Sequence, residues 1–181
     1  MRPEEPKAQL DQANPGAEPA KPAAWLHATT VARDGWALVL RGPSGSGKSD
    51  LALRLIEEAG FALLADDQTP LFAPVQPTDP PWVGPPERLS GQIEVRGLGI
   101  LPARRHLVQH LPVALVVDLQ PDPAAIERLP EAEEQTAELD VGAPVPRVFL
   151  WAFEVSARLK VVLAWERALA RMAIVPDSER P

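Results

Sequence analysis

Between Gly42 and Ser49 the chain reads Gly-Pro-Ser-Gly-Ser-Gly-Lys-Ser, so Gly42, Gly47, Lys48 and Ser49 fill every required place of the pattern G-x-x-x-x-G-K-[ST]. No other stretch restricts the fold as much. The pattern works in one setting: a strand leads in, a helix leads out, and the loop between them turns its backbone N–H groups inward. The flanks comply. Trp36 to Arg41 is an apolar run of strand length, and the segment after Lys48 carries apolar residues at 51, 52, 55, 56 and 59, the spacing of one helix face. Gly60 stands where a helix-ending glycine belongs, and Phe61 to Ala65 resumes as a second buried strand. A strand, helix, strand order predicts an α/β fold: a P-loop-containing domain with a mixed, partly parallel sheet flanked by helices.

Such a loop implies a phosphate ligand, because inward N–H groups and the positive end of a helix meet at one point. Gly42, Pro43, Ser44, Gly45, Ser46, Gly47, Lys48, Ser49 and Asp50 form the expected nucleotide-binding segment. Lys48 would reach the β and γ phosphates of ATP, and the Ser49 hydroxyl would serve Mg²⁺. The competing reading is a glycine-rich turn that binds nothing, and the flanking elements weigh against it.

Length and composition set the surroundings. The 181 residues suit one domain. Prolines number 22, far above the usual share, so they must concentrate in loops and tails. Residues 1–22 hold five of them among polar residues and read as a disordered tail, or as a docking segment for a partner. The folded domain is expected over 23–173, with a second short tail over 174–181. Thr69 to Pro86 holds seven more prolines and reads as a long loop or lid. Gln92 to Arg96, Val113 to Asp118 and Arg147 to Trp151 are strand candidates, Ser156 to Met172 an amphipathic helix, and Glu131 to Asp140 an acidic solvated stretch. The absence of cysteine excludes disulfides and thiolate metal sites. A net charge of −7 argues against nucleic acid as a partner. With no apolar run of membrane-spanning length and no secretory pattern, no membrane role is expected and the protein is expected in the cytoplasm.

Asp66 and Asp67 follow the second strand and should emerge beside the phosphate loop, where ligands gather in open α/β sheets. Adjacent strand residues face opposite ways, so the two carboxylates need not share a task. A turn or helix-cap pair is the structural alternative. A GTPase would show a base-reading NKxD segment, and none exists. Leu89-Ser90-Gly91-Gln92 has the look of an ABC-type signature, but it lacks the second glycine and a following aspartate-glutamate pair.

Four segments in order resemble the catalytic domain of HPr kinase/phosphorylase: Leu26-His27, GPSGSGKSDLALRLIEEAG, LLADD ending at Asp66-Asp67, and IEVRGLGI from Ile93 to Ile100. They span roughly half the chain. The resemblance implies an ATP- and Mg²⁺-dependent kinase acting on a serine of HPr or a related phosphocarrier protein, and a homo-oligomer of hexameric type. It implies Asp67 as the base that accepts the serine proton, Asp66 as support for metal or histidine, Lys48 on the phosphates, and His27 as a phosphate-contacting or proton-sharing residue. Glu94 would join Ser49 as a metal ligand, with an exposed strand glutamate as the alternative. Arg96 binds phosphate or pairs with a carboxylate, and Gly97 and Gly99 form an anion-binding turn or permit close backbone approach. Asp118 closes VALVVD as a Walker-B-like aspartate or a structural strand end. His106 and His110 read as solvated, and Arg147 as a transition-state or partner-facing arginine.

Two departures stand out. Only the tail precedes residue 23, so the chain resembles a short form without the additional N-terminal domain. The family's PVRPGRN-type segment is reduced to Pro144-Val145-Pro146-Arg147, which weakens the expected phosphorylase activity. A small-molecule kinase that closes the 69–86 loop over its acceptor, and a nucleotide sensor without transfer, are the alternatives.

Overall fold

The computed structural model describes residues 21–130 and 135–173. The readings of 1–20, of 174–181 and of residues 131–134 in the acidic stretch lie outside the described residues.

The fold is organised by a strand that precedes the one leading into the phosphate loop. β1 (Ala24–Arg33) and β2 (Trp36–Arg41) form a hairpin across Asp34-Gly35, both at positive φ (55° and 81°). Two-residue turns of this kind match the natural twist of paired strands, and Asp-Gly is among their preferred sequences. Pairing runs unbroken from Ala28 opposite Arg41 to Arg33 opposite Trp36. The loop leads into α1 (Lys48–Glu58), which ends at Ala59 and Gly60 (φ 75°). The chain returns as β3 (Ala62–Ala65), antiparallel to β1. β2 and β3 therefore run in the same direction with β1 between them. The anticipated strand, helix, strand unit exists in chain order, but its strands are not neighbours, because the hairpin has already placed β1 against β2.

β4 (Gln68–Phe72) continues along the other half of β1, from Ala24 to His27. β5 (Trp82–Val83) joins β4, and the long β8 (Leu111–Leu119) pairs with β5 at one end and in parallel with β2 along the rest. Strands β1, β4, β5, β8 and β2 thus close a ring. β10 (Val145–Leu150) extends the sheet in parallel beyond β8, and β9 (Thr136–Ala137) edges it. β6 (Gln92–Val95) and β7 (Gly99–Pro102) form a separate hairpin. Parallel and antiparallel pairs coexist, so the mixed sheet expected from the sequence is observed.

Two apolar clusters hold the layers. Leu51, Leu55 and Ile56 of α1 and Val161 and Trp165 of α2 (Ala157–Ala173) pack with Leu38 and Leu40 of β2 on one face. Ala28, Ala32, Val39, Leu71, Val83 and Val113 fill the opposite side, within the ring of strands.

The segment 69–86, read as a loop or lid, is loop over 73–81 but not at its ends. Its two ends are β4 and β5, and Pro70 sits in the ladder opposite Trp25. The Pro70 carbonyl accepts Gly84 N–H (3.3 Å), so its missing donor falls beside the end of the two-residue β5, where it deprives little. The middle of the segment is tied down as well: Asp79 O accepts Ala143 N–H (2.9 Å) and Pro81 O accepts Val113 N–H (2.9 Å).

Trp165 is fully buried against the edge of Phe61 (centroids 5.2 Å apart), and its indole N–H finds no acceptor among the described residues. Removing the ring loses packing, whereas removing only the orphan N–H relieves a desolvation cost. Trp165→Ala is expected to cost about 3–5 kcal/mol in urea unfolding. Trp165→Phe is expected to cost well under half of that.

Candidate phosphate-binding site

The loop after β2 is shaped by close approach. A Cβ on Gly42 would stand 2.7 Å from Ser46 Oγ and 2.8 Å from Leu119 O, and one on Gly47 would stand 2.8 Å from Ala152 Cβ. Both residues also hold positive φ (147° and 92°), so glycine is required twice over. Among the described residues no acceptor meets the N–H groups of Gly45, Gly47, Lys48 or Ser49. Ser46 Oγ is buried with no partner among the described residues. These orphan donors, at the first turn of an 11-residue helix, form an anion cradle. Lys48, only 8% exposed, lies back over the loop and donates to Gly42 O (3.0 Å) and Pro43 O (3.2 Å).

Beside the cradle, the chain leaves β3 through Asp66 and Asp67 (φ 66°) and enters β4. Because β3 and β4 pair with successive halves of the same strand, this turn lies against the middle of β1. Two β1 residues on one face, His27 and Thr29, meet it. His27 Nδ1 lies 3.2 Å from Asp67 Oδ1, and its Nε2 lies 3.4 Å from Lys48 Nζ. The ring thus lies between the Asp67 carboxylate and the Lys48 ammonium. Thr29 Oγ1 donates to Asp66 Oδ1 (2.7 Å), Ser49 Oγ donates to the same oxygen (2.9 Å), and Glu94 N–H donates to Oδ2 (2.9 Å).

The alternation expected of Asp66 and Asp67 is therefore corrected. Both carboxylates lie past the strand end, and the positive φ of Asp67 turns them to the same side of the sheet. The histidine partner is Asp67, while Asp66 is bound to the serine of the loop.

A cleft of about 340 Å³ joins these groups, within the size range of small-molecule sites. Gly45, Lys48, Ser49, Asp67, Glu94 and Arg96 are among its walls. Arg96 is exposed and makes no hydrogen bond or ion pair among the described residues. Gly97 and Gly99 hold positive φ with open space around them, so they serve the turn of the β6, β7 hairpin and no close backbone approach. No group of three or more His, Asp or Glu side chains among the described residues could hold a metal ion alone. A cation such as Mg²⁺ takes one or two protein oxygens and fills its shell with water and phosphate. Ser49 and Glu94 supply oxygens of that kind at the cleft.

Other expected residues lie elsewhere. Asp118 is held by Arg41 through paired bonds of 2.8 Å at the neighbouring ends of β2 and β8, which is the structural role. Arg147 lies 4.0 Å from Asp118 and stacks over Phe149, away from the phosphate cleft. It borders a larger cavity of about 750 Å³ between β10, α2 and residues 125–130. Size alone does not make that cavity the site, since the orphan N–H groups and the carboxylate pair are at the smaller cleft. His106 lies on the surface near Gly91. His110 is exposed at one edge but stands edge-on to Phe72, with centroids 4.4 Å apart. Residues 69–86 contribute nothing to the cleft, and neither does the Leu89 to Gln92 segment. Thr29 and Phe153, which do, carry no motif in the sequence; the signal that leads to Thr29 is the Asp34-Gly35 turn, which reveals β1.

A glycine-cradled anion site at a helix start, set in a mixed sheet with a carboxylate pair beside it, defines a P-loop fold. The model of the HPr Serine kinase C-terminal domain matches residues 20–169, and the chain belongs to that family. It is 33% identical over 137 residues to the HPr kinase/phosphorylase of Xylella fastidiosa strain M12, covering 68% of this chain and 42% of that protein. With the HPr kinase/phosphorylase of Lacticaseibacillus casei strain BL23 it shares 32% over 132 residues, covering 68% and 39%. The chain thus spans about two fifths of the length of these curated relatives. The Hpr(Ser) kinase/phosphatase from Coxiella burnetii shares the fold, with a TM-score of 0.64 at 21% identity over 83% of this chain and 92% of that one.

Gly42→Ala is expected to destabilise the fold by about 1–3 kcal/mol, since the added methyl meets backbone oxygen and left-handed strain together; chemical denaturation measures it. Burial against its neighbours lowers the His110 pKa from the ordinary 6.5. The folded state then binds that proton less readily than the unfolded chain, so the contribution is intact above pH 6.5 and is lost as the pH falls below it. His110→Gln is expected to lose less stability than the parent between pH 7.5 and pH 5.5.

Proposed function

We propose that this chain is an ATP- and Mg²⁺-dependent serine kinase whose acceptor is HPr or a related phosphocarrier protein in the cytoplasm. The observation that carries the reading is the unequal surroundings of two adjacent aspartates beside the anion cradle. Asp66 accepts three hydrogen bonds and is committed to holding Ser49 and the Glu94 backbone. Asp67 has His27 as its partner on one oxygen, and its side chain is 69% exposed toward the cleft. A base must keep a lone pair for the hydroxyl it deprotonates, and Asp67 has one.

The orphan N–H groups and the helix start receive the phosphates, and Lys48 exchanges the Gly42 and Pro43 carbonyls for phosphate oxygens. When bound, Mg²⁺ neutralises charge shared by the β and γ phosphates. The acceptor serine gives its proton to Asp67 as its oxygen bonds to the γ phosphorus; the bond from that phosphorus to the β-phosphate oxygen breaks, and ADP leaves. His27 holds Asp67 in place, and Arg96 faces the charge that develops on the transferred group.

A small-molecule kinase needs a lid over its acceptor, and no residue of 69–86, the segment that would have provided one, lines the cleft. The open cleft suits a protein acceptor. Transfer of label from γ-labelled ATP to a purified HPr-type carrier tests the proposal. Asp67→Asn is expected to lower the rate by about 10²–10⁴-fold, and Lys48→Ala by at least about 10²-fold. Tight ATP binding without label on any carrier serine would sink the reading.

A further inference from the structure

The hydrogen bonds around Asp66 contain a member that the phosphate-loop pattern does not predict. Thr29 is fully buried, yet its hydroxyl reaches 2.7 Å to Asp66 Oδ1 across 37 residues of sequence. The same oxygen accepts from Ser49 Oγ at 2.9 Å, and the other carboxylate oxygen accepts from Glu94 N–H at 2.9 Å. Every donor on this carboxylate comes from a different element: Thr29 from β1, Ser49 from α1, Glu94 from β6.

We infer that Thr29 is a positioning residue for the cation half of the site, fixing Asp66 so that the Ser49 hydroxyl spends its one proton on Asp66 and turns its lone pairs toward the metal. The inference rests on the kinase reading of the loop and deepens it. A serine hydroxyl can donate its proton to a carboxylate or to a phosphate, and only the first choice leaves the oxygen free for a cation without competing with the nucleotide. Ser49 makes that choice because Asp66 is held at the right place. Thr29 pins Oδ1 from the rigid centre of the sheet, and Glu94 N–H pins Oδ2 from the β6, β7 hairpin. The neighbouring Thr30 shows the contrast. It faces the other side of β1, where its hydroxyl pairs with Thr69 (2.9 Å) and has no connection to the loop.

Thr29→Val preserves shape and removes the donor; Thr29→Ser keeps the donor. ATP affinity is measured by calorimetry with Mg²⁺ and with EDTA, on the full chain, alongside thermal unfolding to confirm the fold. The parent is expected to bind ATP more tightly with Mg²⁺. Thr29→Val is expected to lose about tenfold of that Mg²⁺-dependent gain, the low end of what an outer-shell partner contributes, while its affinity in EDTA stays within about twofold of the parent. Thr29→Ser is expected to recover the gain. Equal weakening in both media would reduce Thr29 to loop packing and overturn the inference, as would an unchanged Mg²⁺ gain in Thr29→Val. Failure of the parent itself to bind ATP in either medium would instead overturn the nucleotide reading, and the inference with it.

Discussion

One strand carries the site because it has three partners. β1 pairs with β2 along its second half, with β3 across the other edge of that half, and with β4 along its first half. The chain must therefore leave β3 and enter β4 opposite the middle of β1, and the residues that make this step are Asp66 and Asp67. Register does the rest. With Ala65 opposite Thr30 and Gln68 opposite His27, Asp66 and Asp67 lie level with His27 and Thr29, and their carboxylates meet those side chains. The same strand reaches into the helix layer farther along, where Val31 joins the core and Arg33 covers Phe61 at 4.7 Å. Site and core are held by one backbone.

The loop itself is secured from below. Arg41, the last residue of β2, and Asp118 on β8 are register partners in adjacent parallel strands, and their paired 2.8 Å bonds fix the point from which Gly42 departs. Both side chains are largely covered, so the pair is shielded from water and holds its geometry better than an exposed ion pair would. Lys48 solves a related problem. An ammonium 8% exposed needs acceptors, and the carbonyls of Gly42 and Pro43 provide them. Those two bonds hold the side chain back over the loop.

What the sequence disclosed and what it withheld divide along the range of the interaction. The phosphate loop, α1 and its Gly60 terminus were legible because their causes lie within a dozen residues. Asp66 and Asp67 were legible as residues at a strand end. Their partners were not, since Thr29 is 37 positions from Asp66 and reads in isolation as a β-branched strand residue. β1 went unread although Asp34-Gly35 between two apolar runs is a hairpin signal; the motif downstream drew the strand assignment to β2 alone. The ends of the 69–86 segment were misread for a different reason. A count of prolines says how many N–H donors are missing, whereas what matters in a sheet is where each absent donor would have pointed, and Pro70 loses its own beside the end of a two-residue strand.

The division of labour between two identical side chains is likewise set by backbone and not by residue type. In an extended strand Asp66 and Asp67 would face opposite sides of the sheet, and only one of them could reach the cleft. The turn conformation at Asp67, which aspartate tolerates better than most residues, brings both to one side and separates them along β1. Asp66 falls where three donors converge and becomes a fixed acceptor. Asp67 falls one step farther toward the surface, beside His27, and keeps open lone pairs. A single left-handed residue thus converts a repeated aspartate into one group that holds the loop and one that stays open to the cleft.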